Sequence, residues 1–350
     1  MSVMTVTGPV EVETLGVTTI HEHLYFDGSW IYKPSDDPNI RKMAESPLNI
    51  STLGWARKIG YGHLDNSHRL DLNEAIEEIS RFKLAGGHTV VDQTPPALGR
   101  DPVALRKIAE ATGLNIIMGG GYYEERRHPE YLKDRTVDDI TKELVREITV
   151  GVADTGIQMG IIGEIGTGDP FTAAEEKVLR GAAIAQASTG IPLSIHHGIW
   201  GRHGPRVLDI AREEGADLSH TVLCHNDLDA RCDPSYYEAV ASTGAYLGFD
   251  TFGQTDVYHY SGRQRPGRVY PTDYVRAENV AKVVEAGYLE QIVLAMDLLT
   301  KVQLRRYGGF GYDHLLDSVI PLLTAVGLTD DQIKVMLIDN PARLLDKPNS

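Results

Sequence analysis

Cysteine is nearly missing: the 350 residues contain two, Cys224 and Cys232. Two cysteines cannot build a disulfide framework, so a reducing compartment, the cytoplasm, is expected. Long apolar runs are missing too, and nothing approaches the ~20 residues that span a bilayer. The opening MSVMTVTGPVEVE has no charged start, apolar stretch or small-residue cleavage site. No secretory signal is therefore expected. Positive charge is scarce, with 34 Lys plus Arg against 49 Asp plus Glu and a formal net charge of −15. Such a chain is repelled by phosphate backbones and anionic lipid. That argues against nucleic-acid and membrane partners and for a small-molecule substrate. No low-complexity block or linker divides the chain.

What is present is a regular alternation. Short apolar runs at 17–20, 89–92, 115–118, 160–163, 193–195, 221–224, 245–248 and 292–295 read as strands. Amphipathic stretches at 72–85, 103–112, 137–152, 173–188, 205–214, 234–242 and 275–286 read as helices between them. Helical patterns at 312–325 and 330–345 follow the last strand. Strands alternating with helices imply a parallel sheet with right-handed crossovers. Eight units in one undivided chain predict a (β/α)8 TIM barrel, an α/β fold in a single domain over 1–350. Its N-terminal extension covers 1–16, and its C-terminal helix and tail cover 330–350. A doubly wound sheet is the alternative. The connection 24–71 is long and rich in Pro, Ser, Asp and His, as functional loops often are. It is placed to cover the barrel mouth.

The most informative motif is His21-Glu22-His23, at the end of the first apolar run. Side chains alternate along a strand, so the two histidines share a face and Glu22 points away. Two imidazoles on one strand end suit a metal. Acids and histidines recur at later strand ends: Asp92, Glu164, His196, His225, Asp250 and Asp297, with Tyr122 and Tyr123 after strand three. Barrel enzymes place their chemistry at such ends. Imidazole nitrogens and carboxylate oxygens suit zinc, and also manganese, cobalt or iron. Two cations ~3.5–4 Å apart can share one carboxylate, and metal binding lowers the pKa of water to ~7, making a hydroxide nucleophile. An aspartate beside it can take up the proton and later deliver it to the leaving group.

These residues resemble the phosphotriesterase family of the amidohydrolase superfamily. The likeness runs through Val6-Thr7-Gly8-Pro9, Leu15-Gly16, His21-Glu22-His23-Leu24 and Gly86-Gly87-His88-Thr89-Val90-Val91-Asp92. It continues through 119–123, the strand-four and strand-five motifs, Tyr307-Gly308-Gly309-Phe310-Gly311-Tyr312 and Asn340-Pro341-Ala342-Arg343. The resemblance implies that His21, His23 and Asp297 hold a buried α metal and His196 and His225 a more exposed β metal. Glu164 would bridge the two, and Asp297 would also shuttle the proton. Hydrolysis of a small-molecule lactone, carboxylic ester or amide follows. Phosphotriester or phosphoester hydrolysis is the alternative, and a noncatalytic ligand-binding barrel is the rival outside enzymes. The resemblance leaves a homodimer open.

Three departures narrow the likeness. Glu164 stands where the best-known members carry a carbamylated lysine, which resembles the glutamate-bearing branch, the phosphotriesterase homology proteins. Thr251 stands where related lactonases carry arginine. Ala295-Met296-Asp297 replaces a Ser-His-Asp run. Tyr123 matches a substrate-facing tyrosine of related lactonases. Arg202 and His203 lie in the loop after strand five, on the face where loops bind substrate. Asp92 is a candidate to orient His21 or His23, and His197 is expected in a hydrogen-bonded packing role. His63, His68, His128, His259 and His314 have no matched role. Tyr258, His259, Tyr260 and Arg263 fall where the family often builds a substrate lid.

Overall fold

The structure is a computed structural model that describes residues 2–229, 233–254 and 270–346. Tyr258, His259, Tyr260, Arg263 and Cys232 lie outside the described residues. Eight parallel strands carry the fold: β1 (Thr18–Glu22), β2 (Thr89–Asp92), β3 (Asn115–Met118), β4 (Ile162–Thr167), β5 (Leu193–His197), β6 (Thr221–Leu223), β7 (Tyr246–Phe249) and β8 (Ile292–Leu294). They form two sheets, ordered β1-β2-β3 and β4-β5-β6-β7-β8. Backbone bonds cross both gaps between the sheets. Asp297 N donates to His21 O at 3.0 Å, and Gly160 N and Gly163 N donate to Met118 O and Gly120 O at 3.0 and 2.8 Å.

Each strand is buried on both faces, as parallel strands between helices must be. One face carries Val90, Ile116, Ile162, Leu193, Leu223, Leu247 and Ile292 into a core shared with the helices. The other carries Ile20, Val91, Ile117, Val222 and Val293 into a second, inner cluster. That inner cluster is closed from below by Val3, Val12 and Leu15 of the N-terminal segment together with Leu344 and Leu345 near the C-terminus. Full burial of each such aliphatic side chain contributes roughly 1.5–3 kcal/mol. The expected N-terminal extension is therefore a structural plug. Its strands Ser2–Thr5 and Gly8–Glu11 pair antiparallel.

The helices between the strands are α1 (Leu72–Leu84), α2 (Pro102–Thr112), α3 (Val137–Thr149), α4 (Ala173–Thr189), α5 (Gly204–Glu213), α6 (Pro234–Ala241) and α7 (Asp273–Glu285). Asp71, Asp101, Thr136, Thr172, Asp233 and Thr272 cap six of them by accepting from first-turn amides. The closing helical patterns are present, each with a π turn, at Leu315–Val319 and Val335–Asp339. Both π turns end just before a proline, Pro321 and Pro341. A proline lacks the N–H that would bond the carbonyl four residues earlier, so the helix widens there.

The connection from β1 to α1 contains three short helices, Pro38–Ala44, Leu53–Ile59 and Leu64–Ser67. Lys301 Nζ bonds Asp65 at 2.7 Å and Val302 N donates to Asn66 at 2.8 Å, tying this segment to the connection after β8. No helix among the described residues is long and apolar enough to cross a membrane.

Candidate metal centre

The strands are displaced from their sequence-based limits where chemistry resides. β4 runs over Ile162–Thr167 instead of 160–163, and β1 ends at Glu22. Register shifts interrupt β1 between Thr19 and Glu22 and β4 between Ile162 and Ile165. Such irregularities re-aim side chains, and they fall at His21 and Glu164. His225 and Asp297 have φ of 63° and 49°, a left-handed conformation uncommon outside glycine. Gly166 is required by its neighbour. A Cβ there would overlap the Tyr123–Glu124 backbone, so only glycine lets that connection lie against β4.

Four imidazoles converge, each held by one nitrogen. His21 Nδ1 donates to Asp250 Oδ2 at 2.9 Å, and His225 Nδ1 donates to Asp250 Oδ1 at 3.1 Å. His23 Nδ1 donates to Thr94 Oγ1 at 3.0 Å, and His196 Nε2 lies 3.3 Å from Glu124 Oε1. The second nitrogen of each points inward. His23 Nε2 is 2.9 Å from Asp297 Oδ1 and 3.7 Å from Glu164 Oε1. His21 Nε2, His196 Nδ1 and His225 Nε2 lie 3.6, 3.0 and 3.5 Å from Glu164 Oε2. One Glu164 oxygen thus faces His23 and the other faces His196 and His225.

This donor set fits a pair of divalent cations. His21 Nε2 is buried without a hydrogen-bond partner, although it is aimed into a ring of carboxylates. Ligand atoms of His21, His23 and Asp297 lie within 4.8 Å of one another, and so do those of His21, Glu164 and His225. Outward anchoring of this kind fixes the tautomer that a metal-binding imidazole needs.

The electrostatics point the same way. Burial pushes Glu164 up, but the surrounding His196, His225 and His21 hold it well below the ordinary carboxylate range. Burial likewise disfavours charge on Asp250, which His225 and His21 outweigh, holding it far below its usual value. Burial pulls His23 down, yet Asp297, Glu164 and Asp92 lift it to about 9. His196 and His225 are raised against burial too, by Glu164 and Asp250 foremost. Ionised acids here draw positive charge onto the imidazoles, a need that bound cations meet while displacing the protons.

Asp297 is held from three sides. Its backbone bonds β1, and Gln254 Nε2 donates to its Oδ2 at 2.9 Å. Glu22 accepts from the flanking amides, Met296 N at 3.1 Å and Leu298 N at 3.2 Å. Glu22 does point away from the histidines, and there it clamps the turn that carries Asp297. Burial raises its pKa to about 8.

A cavity of about 930 Å³ opens over the cluster and is lined by His23, Glu164, His196, His225 and Asp297. Phe26, Trp30, Ile31 and Tyr61 of the 24–71 connection line its wall, as do Tyr123, Arg126 and Trp200. Tyr123 Oη lies 3.4 Å from both ring nitrogens of His196.

The other sequence-based candidates take the following places. Arg202 turns away from the cavity to pair with Asp233, and His203 stacks on Phe171 with ring centroids 5.6 Å apart. Neither lines the cavity. Asp92 accepts from Leu24 N and Thr94 N, not from His21 or His23. It therefore acts on His23 through Thr94, while Asp250 orients His21. Thr251 is buried, with its hydroxyl accepting from Arg276 Nε and its amide donating to Asp227. His197 packs as expected, between Cys224 O and the Tyr236 hydroxyl.

The family model for the phosphotriesterase family matches residues 1–345. The human N-acetyltaurine hydrolase is 38% identical over 344 residues, which is 98% of this chain and 97% of that protein. A resiniferatoxin-binding protein from Rhodobacter sphaeroides superposes with a TM-score of 0.93 at 40% identity, covering 99% of this chain and 95% of that one. The Escherichia coli phosphotriesterase homology protein, solved with phosphate in its active site, gives 0.78 at 27% identity, covering 95% and 99%. Motif order, site geometry and whole-length likeness agree, and the chain belongs to the phosphotriesterase family.

Proposed function

We propose that this chain is a single closed (β/α)8 barrel that hydrolyses the amide bond of a small acylated amine, using two divalent cations. The observation that carries the reading is the convergence of four outward-anchored imidazoles on Glu164 and Asp297. His21, His23 and Asp297 would hold one cation and His196 and His225 the other, with Glu164 between them. Zinc is the first candidate for this nitrogen and oxygen set. Bound there, the cations would supply Lewis acidity and lower the pKa of water.

The protein's own groups do the rest. Asp297 accepts a proton from the attacking water and passes it to the departing nitrogen, so the C–N bond breaks as the acyl carbon gains the hydroxyl. Tyr123, whose hydroxyl lies 3.4 Å from His196 Nδ1, would donate to the reacting group. The apolar wall of Phe26, Trp30 and Ile31 would shield one side of the substrate from water. Several relatives along the full length are N-acetyltaurine hydrolases, which favours an amide over a lactone, ester or phosphoester.

The test is a hydrolysis screen of the metal-loaded protein over matched amides, lactones, carboxylic esters and phosphotriesters, ranked by kcat/KM. Amides are expected to rank first. A phosphotriester ranking first, or no amide turnover with either zinc or manganese, would overturn the reading.

A further inference from the structure

Among the described residues lining the cavity, Arg126 is the single lysine or arginine. The same wall carries Glu124, Glu125, Asp169 and Glu175, and the chain as a whole is acidic. Glu124 separates this guanidinium from the metal cluster. Its Oε1 lies 3.3 Å from His196 Nε2, and its Oε2 lies 2.5 Å from Arg126 Nε. The cavity wall thus runs imidazole, carboxylate, guanidinium.

A plain ion pair with Glu124 would explain the Nε contact and no more. A guanidinium has five donors and stays charged at any working pH. Half of the Arg126 side chain remains exposed. Its position is braced: the guanidinium carbon lies 5.3 Å from the centre of the Trp30 ring. Arg127 sits 4.3 Å from that ring centre and donates to Ala97 O. A side chain fixed this way loses little freedom when a ligand arrives, which favours binding.

We infer that Arg126 reads an anionic group at the far end of the substrate, so that the site takes acyl amides whose amine portion bears a carboxylate or a sulfonate. This rests on the amide reading above. With the scissile carbonyl over Glu164 and Asp297, the guanidinium lies one carboxylate beyond His196. An anion joined to the nitrogen by a short linker, as in an amino acid or an aminosulfonate, would point along that wall toward Arg126. The planar fork suits both oxyanions, since it can give two parallel hydrogen bonds. Glu124 acts at both ends, holding His196 and orienting Arg126, while its negative charge disfavours cationic amines.

The experiment uses metal-loaded protein and three acetamides of similar size: N-acetyltaurine, N-acetyl-β-alanine and neutral N-acetylethanolamine. Both kcat/KM and the calorimetric Kd are measured for the wild type, Arg126→Gln and Arg126→Lys. The wild type should favour the anions over the neutral amide by about 10–100-fold, the worth of a hydrogen-bonded charge. Arg126→Gln should lose most of that ratio, through KM and Kd more than kcat, and Arg126→Lys should recover part. The lysine keeps a charge for Glu124, so a folding defect in the glutamine variant alone does not decide the matter. Whichever anion gains more from Arg126 identifies the class.

An unchanged anion-to-neutral ratio in both variants overturns the inference. Equal cleavage of all three amides by the wild type overturns it while leaving amide hydrolysis intact. Arg126-dependent binding of the anions without cleavage supports Arg126 and sinks the hydrolytic reading. Absence of both binding and cleavage overturns both.

Discussion

The Asp250 carboxylate lies 2.9 Å from His21 Nδ1. Its other oxygen takes the Nδ1 and the backbone amide of His225, at 3.1 and 2.8 Å. One buried acid thus sets the orientation of an imidazole in each half of the cluster. Asp250 is itself held, because its amide donates to Asp227, which pairs with the buried Arg276. Asp250→Asn should therefore weaken both halves together, with about a 10–100-fold loss of metal affinity or activity. A competition titration against a chelator measures it, and wild-type affinity for both cations would refute the assigned role.

Asp297 meets two partners with one side chain. Oδ1 faces His23, and Oδ2 accepts from Gln254. Asp297→Asn preserves the shape and the backbone bond to His21, so the thermal midpoint should stay near that of the wild type. Turnover should fall about 10²–10⁴-fold, the usual worth of a positioned proton carrier. Steady-state kinetics with metal analysis of the same sample checks this. Near-normal kcat at full metal content would refute the proton-carrying role.

Acid should loosen the wall behind the site. Asp273 accepts from Gly253 N and His314 Nε2 and pairs with Arg276. Burial pushes its pKa up, but His314, Arg276 and the Gly253 amide outweigh this and hold it below 3.8. A depressed acid stabilises the fold fully above its unfolded-state value, and that contribution disappears as pH falls through the folded-state value. The wild type should thus melt above Asp273→Asn at pH 6, and the gap should shrink once pH drops below about 3.8. A gap that stays constant down to acid unfolding would contradict the assignment.

Much of this was legible in the sequence because two periodicities coincide. Apolar runs alternating with amphipathic stretches mark the strands, and His21, Glu164, His196, His225 and Asp297 stand where those runs end. What holds these residues was not legible. Thr94, Glu124 and Asp250 reach their histidines across 71, 72 and 229 positions of sequence. Such pairings depend on which strand lies beside which. Glu22 gave half a signal, since its place in the His-Glu-His run turns it away from the cluster but does not name Met296 and Leu298 as its partners. The partners of Arg202 and His203 were not legible either, since Asp233 and Phe171 lie 31 and 32 positions away. Arg126 lies just past the 119–123 motif, and nothing in its local sequence marks it as facing the cavity.

If Glu164 joins two cation sites into one centre, counting metals in the chelator-stripped, zinc-reconstituted wild type and Glu164→Gln, with amide hydrolysis followed along the titration, will show it. Two equivalents are expected in the wild type, with hydrolysis that rises with the second, and at least one equivalent should be lost in the variant. Less than one equivalent in the wild type, or unchanged stoichiometry and turnover in Glu164→Gln, would contradict it.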